Sequence, residues 1–226
     1  MKTLVLGMVQ TNCYIIHPAD RNEAVVIDPA DNADKILQYL KANDLVCKAI
    51  LLTHGHFDHI LAVKELAGFT GAPVFAHEEE VALLSNSRLN ASYHIHKECE
   101  FTPEVLLKDQ EILKIAGMTI KVMHTPGHTA GSVCYSLRES QTDQQHTILQ
   151  EGGILISGDT LFRESIGRTD LPTGNSSQLV ESILTKLMLL EDQVMVFPGH
   201  GPSTTIGYER ENNIYLAGGG TEFFDL

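Results

Sequence analysis

Positive charge is scarce in this chain of 226 residues: 16 lysines and arginines face 29 aspartates and glutamates, for a formal net charge of −13. Phosphate backbones are bound by concentrated patches of Lys and Arg, so this deficit argues against nucleic acid as substrate or partner. The four cysteines, Cys13, Cys47, Cys99 and Cys134, form no C-x-x-C pair. Neither a thiolate zinc knot nor a redox dithiol is legible, and reduced, mostly buried thiols are expected. No stretch reaches the about 18 apolar residues of a membrane span, and the run Met1 to Met8 is too short for a signal peptide. A soluble cytoplasmic protein with no membrane partner is the expectation. Low-complexity segments are missing as well. With 43% hydrophobic residues the chain can bury a substantial core, and one α/β domain spanning residues 1–226 is expected.

What is present is a repeated habit of short apolar runs rich in β-branched residues that end in Gly, His, Asp or Pro. Glu23 to Ile27 reads as a strand running into the turn Asp28-Pro29, and residues 32–42 then show helical spacing through Ala33, Ile36, Leu37 and Leu40. Lys48 to Leu52 reads as the next strand, Ile60 to Ala67 as a helix, and Pro73 to Ala76 as a further strand. Residues 85–110 are polar and less regular. The second half resumes with strands at Thr119 to Met123, Gly153 to Ser157 and Gln193 to Phe197, leading into His124-Thr125-Pro126-Gly127-His128, Gly158-Asp159-Thr160 and Pro198-Gly199-His200. Arg138 to His146 reads as an exposed excursion. Two related halves facing each other would explain this grammar, with functional groups gathered at one edge of the sheets.

The densest cluster is T-H-G-H-F-D-H-I at residues 53–60, directly after Ala49-Ile50-Leu51-Leu52. If the segment is extended, His54, His56 and Asp58 point the same way, and a turn at Gly55 or a helix start near Asp58 swings His59 to a neighbouring position. Such a loop has the makings of a metal site, and one loop could serve two ions. Imidazole and carboxylate donors without thiolate suit Zn²⁺ first and also admit Fe or Mn. His94 and His96 have metal-like spacing but lack a carboxylate or thiolate partner, so no role is assigned to them or to His17, His77, His124 and His146. His77 with Glu78-Glu79-Glu80 reads as solvated charge at a helix start.

These residues resemble those of the metallo-β-lactamase-fold hydrolases, in particular the glyoxalase II-like branch, from Asn12 through His200. The family's H-x-H-x-D-H motif matches His54, His56, Asp58 and His59, its next histidine matches His128, its bridging carboxylate Asp159 and its last ligand His200. The resemblance implies a four-layer αββα sandwich with a dinuclear site at its open edge. One metal would be held by His54, His56 and His128, the other by Asp58, His59 and His200, with Asp159 bridging. A hydroxide between two divalent cations would then be the nucleophile, and Asp58 could also receive its proton.

The resemblance also implies a small-molecule thioester substrate of the hydroxyacyl-glutathione type, handled without the C-terminal helical region of larger relatives. The loop after Asp159 corresponds to the family's glutathione-contacting segment, which makes Phe162, Arg163, Arg168 and Asp170 candidate substrate contacts; Arg168 and Asp170 would serve equally as an ion pair orienting the loop. Persulfide dioxygenases, which use one iron and oxygen, share similar ligands and are the main alternative, followed by lactone or ester hydrolysis and a non-enzymatic metal-binding module. A homodimer is left open, with the tail Glu222 to Leu226 packing in cis or across an interface.

Overall fold

The computed structural model describes residues 1–137 and 152–216. The excursion read at Arg138 to His146 and the tail from Gly218 to Leu226 lie outside them. Strands β1 (Lys2–Leu6), β2 (Thr11–Ile16), β3 (Glu23–Ile27), β4 (Val46–Leu51), β5 (Val74–His77) and β6 (Val105–Leu107) form one sheet in that spatial order. The first two pairings are antiparallel and the rest parallel. The chain then enters β7 (Ile112–Ile115), β8 (Met118–His124), β9 (Val133–Leu137) and β10 (Ile154–Gly158). A small hairpin of β11 (Leu161–Phe162) and β12 (Ser165–Ile166) follows, and β13 (Met195–Pro198) and β14 (Thr204–Thr205) complete a second sheet ordered β14-β13-β10-β9-β8-β7.

Side chains alternate between the two faces of each strand, and both faces are covered. Tyr14, Ile16, Val25, Ile27, Ala49 and Leu51 of the first sheet meet Ile120, Val122, Val133, Tyr135, Ile154 and Ile156 of the second in one buried cluster. The intervening residues Cys13, Ile15, Ala24, Val26 and Ile50 face outward onto helices α1 (Ala33–Ala42) and α3 (Val63–Thr70), through Ile36, Leu40, Val63 and Leu66. Between those helices lies the four-residue α2 (Phe57–Ile60), and α4 (Val81–Leu84) follows β5. On the far side, Met123, Cys134, Leu155 and Val196 pack under Leu179, Ile183 and Leu187, from α5 (Ser176–Ser182) and the π-turn that continues it. The chain closes with α6 (Ile206–Asn212), whose Ile206 joins this outer cluster. The layers are therefore helix, sheet, sheet, helix, as the resemblance implied.

Local chemistry explains the element ends. Asn32 caps α1 by accepting from Lys35 N–H at 3.2 Å, Asp34 sits in the first turn and Lys41 in the last, each charge complementing the helix dipole. The helix expected over residues 60–67 is two helices, because Ala62 N–H leaves the helical pattern to reach Pro29 O at 3.0 Å. The irregular segment 85–110 supplies β6 and a 3₁₀ turn at Ser92–Ile95.

One edge of the sandwich is tied across the two sheets. Val133 N–H donates to Thr53 O at 2.8 Å and Tyr135 Oη to Leu52 O at 2.7 Å. At the other side of the same edge, Asn12 N–H donates to Gly199 O at 2.7 Å and the Asn12 amide to Pro198 O at 2.9 Å. These ties fix the loops that follow β4 and β13 and the end of the turn between β8 and β9, and Gly199 N–H, donating to Gly158 O at 2.8 Å, fixes the loop after β10. No helix among the described residues is long and apolar enough to cross a membrane.

All four cysteines are buried and unpaired. Burial pushes the Cys47 and Cys134 thiols up to about 11 and raises those of Cys13 and Cys99 as well. The reactive species is the thiolate. Native protein at pH 7.5 is therefore expected to resist a disulfide thiol reagent over an hour, while denatured protein releases four equivalents; rapid native labelling of any thiol would contradict this packing.

Candidate metal centre

Each ligand-type side chain arrives from the end of a rigid element. His54 and His56 extend beyond β4, Asp58 and His59 begin α2, His128 sits in the turn between β8 and β9, Asp159 follows β10, and His200 follows β13. Three groups of donors converge: His54, His56 and His128; His54, His59 and Asp159; and Asp58, His59 and His200, each with its atoms within 4.8 Å of one another. His56 Nδ1 lies 2.9 Å from His128 Nε2, which lies 3.2 Å from His54 Nε2. Asp159 spans the groups, with Oδ1 3.4 Å from His59 Nε2 and Oδ2 3.7 Å from His128 Nε2 and 3.5 Å from His200 Nε2. All seven residues picked from the sequence are together.

The buried atoms fit metal ions. Among the described residues, His56 Nε2, His59 Nε2 and Asp159 Oδ1 are buried side-chain atoms without a hydrogen-bond partner. Two of them, His59 Nε2 and Asp159 Oδ1, face each other, and orphaned polar atoms of this kind are costly unless something fills the gap between them. Space is reserved for them: a Cβ on Gly199 would lie 2.1 Å from Asp159 Oδ1 and 2.7 Å from His59 Cε1.

Residues outside the motif orient the ligands. Asp28, fully buried after β3, accepts from His59 Nδ1 at 2.9 Å and from the Thr53 hydroxyl at 2.7 Å, and its other oxygen accepts Thr53 N–H at 2.8 Å. His128 Nδ1 donates to Arg168 O at 2.7 Å, and the Thr11 hydroxyl donates to Asp58 Oδ2 at 3.0 Å. Sequence reasoning took Asp28 only as part of a turn; a strand ending in Asp, like those ending in ligands, was the available signal. Glu80 requires a correction. It is 1% exposed, not solvated charge, and burial pushes its carboxyl up to about 7 against the pull of three hydrogen bonds. His77 does cap the Glu78–Glu80 turn, but it is buried and stacks on His124 at 3.9 Å.

A cleft of about 450 Å³ opens beside the donors, with apolar walls from Val9, Phe57, Ala91, Phe162 and Leu171 and with Arg168 at its rim. Two of the four candidate substrate contacts, Phe162 and Arg168, line it. Arg163 does not: its guanidinium lies over the Tyr208 ring at 5.1 Å and pairs with Glu164. Asp170 is not in the lining either; both its oxygens grip Arg168, at 2.7 and 2.6 Å. Ala91 is a wall that the sequence did not disclose. Its loop is held by Phe57 N–H donating to Asn90 O at 2.8 Å. His94 and His96 belong to no donor group among the described residues.

Comparison with known proteins agrees with this geometry. The metallo-beta-lactamase superfamily model matches residues 6–200, and the chain belongs to that superfamily. It is 34% identical over 210 residues to the hydroxyacylglutathione hydrolase GloC of Haemophilus influenzae, covering 92% of this chain and 93% of that protein. The crystal structure of the BLEG-1 B3 metallo-beta-lactamase superposes with a TM-score of 0.85 at 39% identity, covering 96% of this chain and 99% of the other. TTHA1623, solved in a di-iron-bound form, gives 0.79 at 32% identity, with 96% and 100% covered. The protein is a metallo-hydrolase of this superfamily, with a His/Asp cluster for divalent metal ions.

The two three-residue groups at the ends of the cluster differ in protonation. Burial and the crowding of other imidazoles lower His54 and take His56 down to about 3; burial also lowers His128. For His59 and His200, burial opposes the charge, but the carboxylates of Asp159 and Asp58 outweigh it and hold both imidazoles above their ordinary value. A proton competes with a metal for an imidazole nitrogen, so a raised pKa weakens metal binding as pH falls. Metal titrations of stripped protein from pH 6 to pH 8 are therefore expected to show the Asp58, His59 and His200 group strengthening at least tenfold with rising pH, and the His54, His56 and His128 group changing far less. Equal pH dependence of the two would contradict the assignment.

Proposed function

We propose that this chain is a two-metal hydrolase of thioesters of the hydroxyacyl-glutathione type. The observation that supports it most is the placement of Asp159 between two three-donor groups at the floor of an apolar-walled cleft. His54, His56 and His128 would hold one ion and Asp58, His59 and His200 the other, with Asp159 shared. The donor set, imidazole and carboxylate without thiolate, suits zinc first and also admits iron or manganese. Two bound cations supply a water nucleophile of lowered pKa and stabilise charge that develops on a carbonyl.

The protein's own residues do the rest. Asp58, kept in its ionised form by His59 and His200 despite its burial, is fixed as a ligand and hydrogen-bond acceptor, its Oδ2 already facing Thr11, His59 and His200. Phe57, Phe162 and Leu171 exclude water from the flank of the cleft and offer apolar surface to the substrate's stem. Arg168 is the cation at the cleft's rim, and an anionic thiol carrier must compete with Asp170 for it. The likeness to GloC over nearly the whole chain supports the thioester substrate. Ring opening of β-lactams is a second reading, favoured by the likeness to BLEG-1.

The test is a kinetic panel of S-D-lactoylglutathione, a simple acyl thioester, a lactone and a β-lactam, with metal content measured on the same sample. Two metals per chain and a preference for the thioesters are expected, together with a loss of at least 100-fold in kcat for Asp58→Asn. Turnover confined to the β-lactam, or a single iron with oxygen uptake on glutathione persulfide, would overturn the thioesterase reading.

The rim pair adds a separate prediction. Exposed ion pairs are weak and exchange readily for another partner. Asp170→Asn, which frees Arg168, is thus expected to lower KM for lactoylglutathione about two- to fivefold with kcat unchanged, and Arg168→Ala to raise it. If both variants match the parent in KM and kcat while folding is impaired, the pair is architectural.

A further inference from the structure

The buried carboxylate of Glu80 has no part in the chemistry above, yet it touches both chain segments that deliver the His54, His56 and His128 group. Its Oε1 accepts Gly55 N–H at 2.8 Å, between His54 and His56. Its Oε2 accepts Gly131 N–H at 2.8 Å and the Thr129 hydroxyl at 3.0 Å, in the turn that carries His128. Ser132 extends the network: its hydroxyl lies 2.7 Å from Thr129 Oγ1 and accepts Thr129 N–H at 3.1 Å. No lysine or arginine pairs with Glu80 among the described residues, so its bonds run to the two ligand segments and not to a counter-ion.

Packing keeps Glu80 pressed against both segments. A Cβ on Gly131 would lie 2.5 Å from Glu80 N, and one on Gly55 would lie 2.7 Å from Leu84 Cδ2 of α4. The stretch from Glu78 to Leu84 thus forms a wedge behind the histidines, with glycine on each side permitting its approach. Three donors converge on two oxygens, an arrangement that an amide cannot copy, because its NH₂ would point at a backbone N–H or at the hydroxyl hydrogen.

We propose that Glu80 is a positioning residue for the first metal subsite: its carboxylate sets the distance between the His54–His56 segment and the His128 turn, so that three imidazoles meet round one ion. This rests on the metal reading of those histidines given above. Groups that hydrogen-bond metal-ligating side chains are worth about 10–100-fold in metal affinity; Glu80 acts on the same ligands through the backbone beside them, and that range sets the scale expected. No residue of the wedge itself lines the cleft, so with metal saturating, substrate KM is expected to change little.

The test uses the full chain, stripped of metal and titrated with Co²⁺ as the probe, in a His200→Ala background so that absorbance reports the first subsite and in a His56→Ala background for the second. Glu80→Gln is expected to weaken Co²⁺ binding at the first subsite by about 10–100-fold and at the second by less than threefold, with cooperative thermal unfolding retained. Thr129→Val, which deletes one of the three donors and keeps the shape, is expected to weaken the first subsite severalfold, whereas Thr129→Ser keeps parental affinity. That pair decides the matter if Glu80→Gln fails to fold. A Glu80→Gln protein that melts earlier but binds Co²⁺ at the first subsite like its parent, or equal affinities for Thr129→Val and Thr129→Ser, would overturn the proposal. Failure of the otherwise unmutated chain to bind Co²⁺ at all would instead remove the metal reading on which it stands.

Discussion

Three imidazole nitrogens brought within 2.9 and 3.2 Å of one another, His56 to His128 and His128 to His54, are the constraint round which the rest of the structure is arranged. Rings this close and this buried repel one another's protons, so they stay neutral and keep lone pairs available. Bringing them together costs solvation that a cation offsets when it binds. The neighbouring Asp58, His59 and His200 solve the same problem in another way, by pairing imidazole with carboxylate, and a bound cation would take the place of the proton they share.

The two-sheet architecture makes that crowding affordable in geometry. Parallel strands β3, β4 and β5 and the pair β10 and β13 are buried on both faces, and their ends are immobilised by neighbours on each side. The ties from Tyr135 to Leu52 and from Asn12 to the 198–201 turn lock one sheet to the other where the ligands emerge. Asp28 orients His59, and the backbone of Arg168 orients His128, so each ring has a fixed tautomer as well as a fixed place. The cleft then follows from what surrounds the site: the tip between β1 and β2, the start of α2, the 3₁₀ segment and the hairpin after Asp159 each lend one apolar side chain.

Much of this was legible in the amino-acid order. The ligands lie directly after apolar strands, a spacing that sequence preserves, and all seven converge. The layered α/β class follows from the same alternation of apolar strands and helices; the strand Glu23–Ile27 keeps its expected bounds, and other element ends move by up to three residues. What escaped notice acts across long separations. Asp28 meets His59 across 31 residues and Glu80 meets Gly131 across 51; Asp28 left only its place at a strand end as a signal, and Glu80 left none. An E-E-E run reads as solvated because acidic runs usually are, yet the 3₁₀ turn sends Glu80 inward while Glu78 and Glu79 stay exposed. Arg163 looked like a substrate contact by position alone, and the aromatic face of Tyr208 captures it first.

The central claim is that these side chains surround a pair of cations and not a single one. Anomalous diffraction from crystals of zinc-loaded protein measures this directly. The account predicts two peaks roughly 3.5–4 Å apart, one among His54, His56 and His128 and one among Asp58, His59 and His200, with Asp159 contacting both. A single peak at full occupancy, with the Asp58 and His200 side chains turned away from it, would contradict the account.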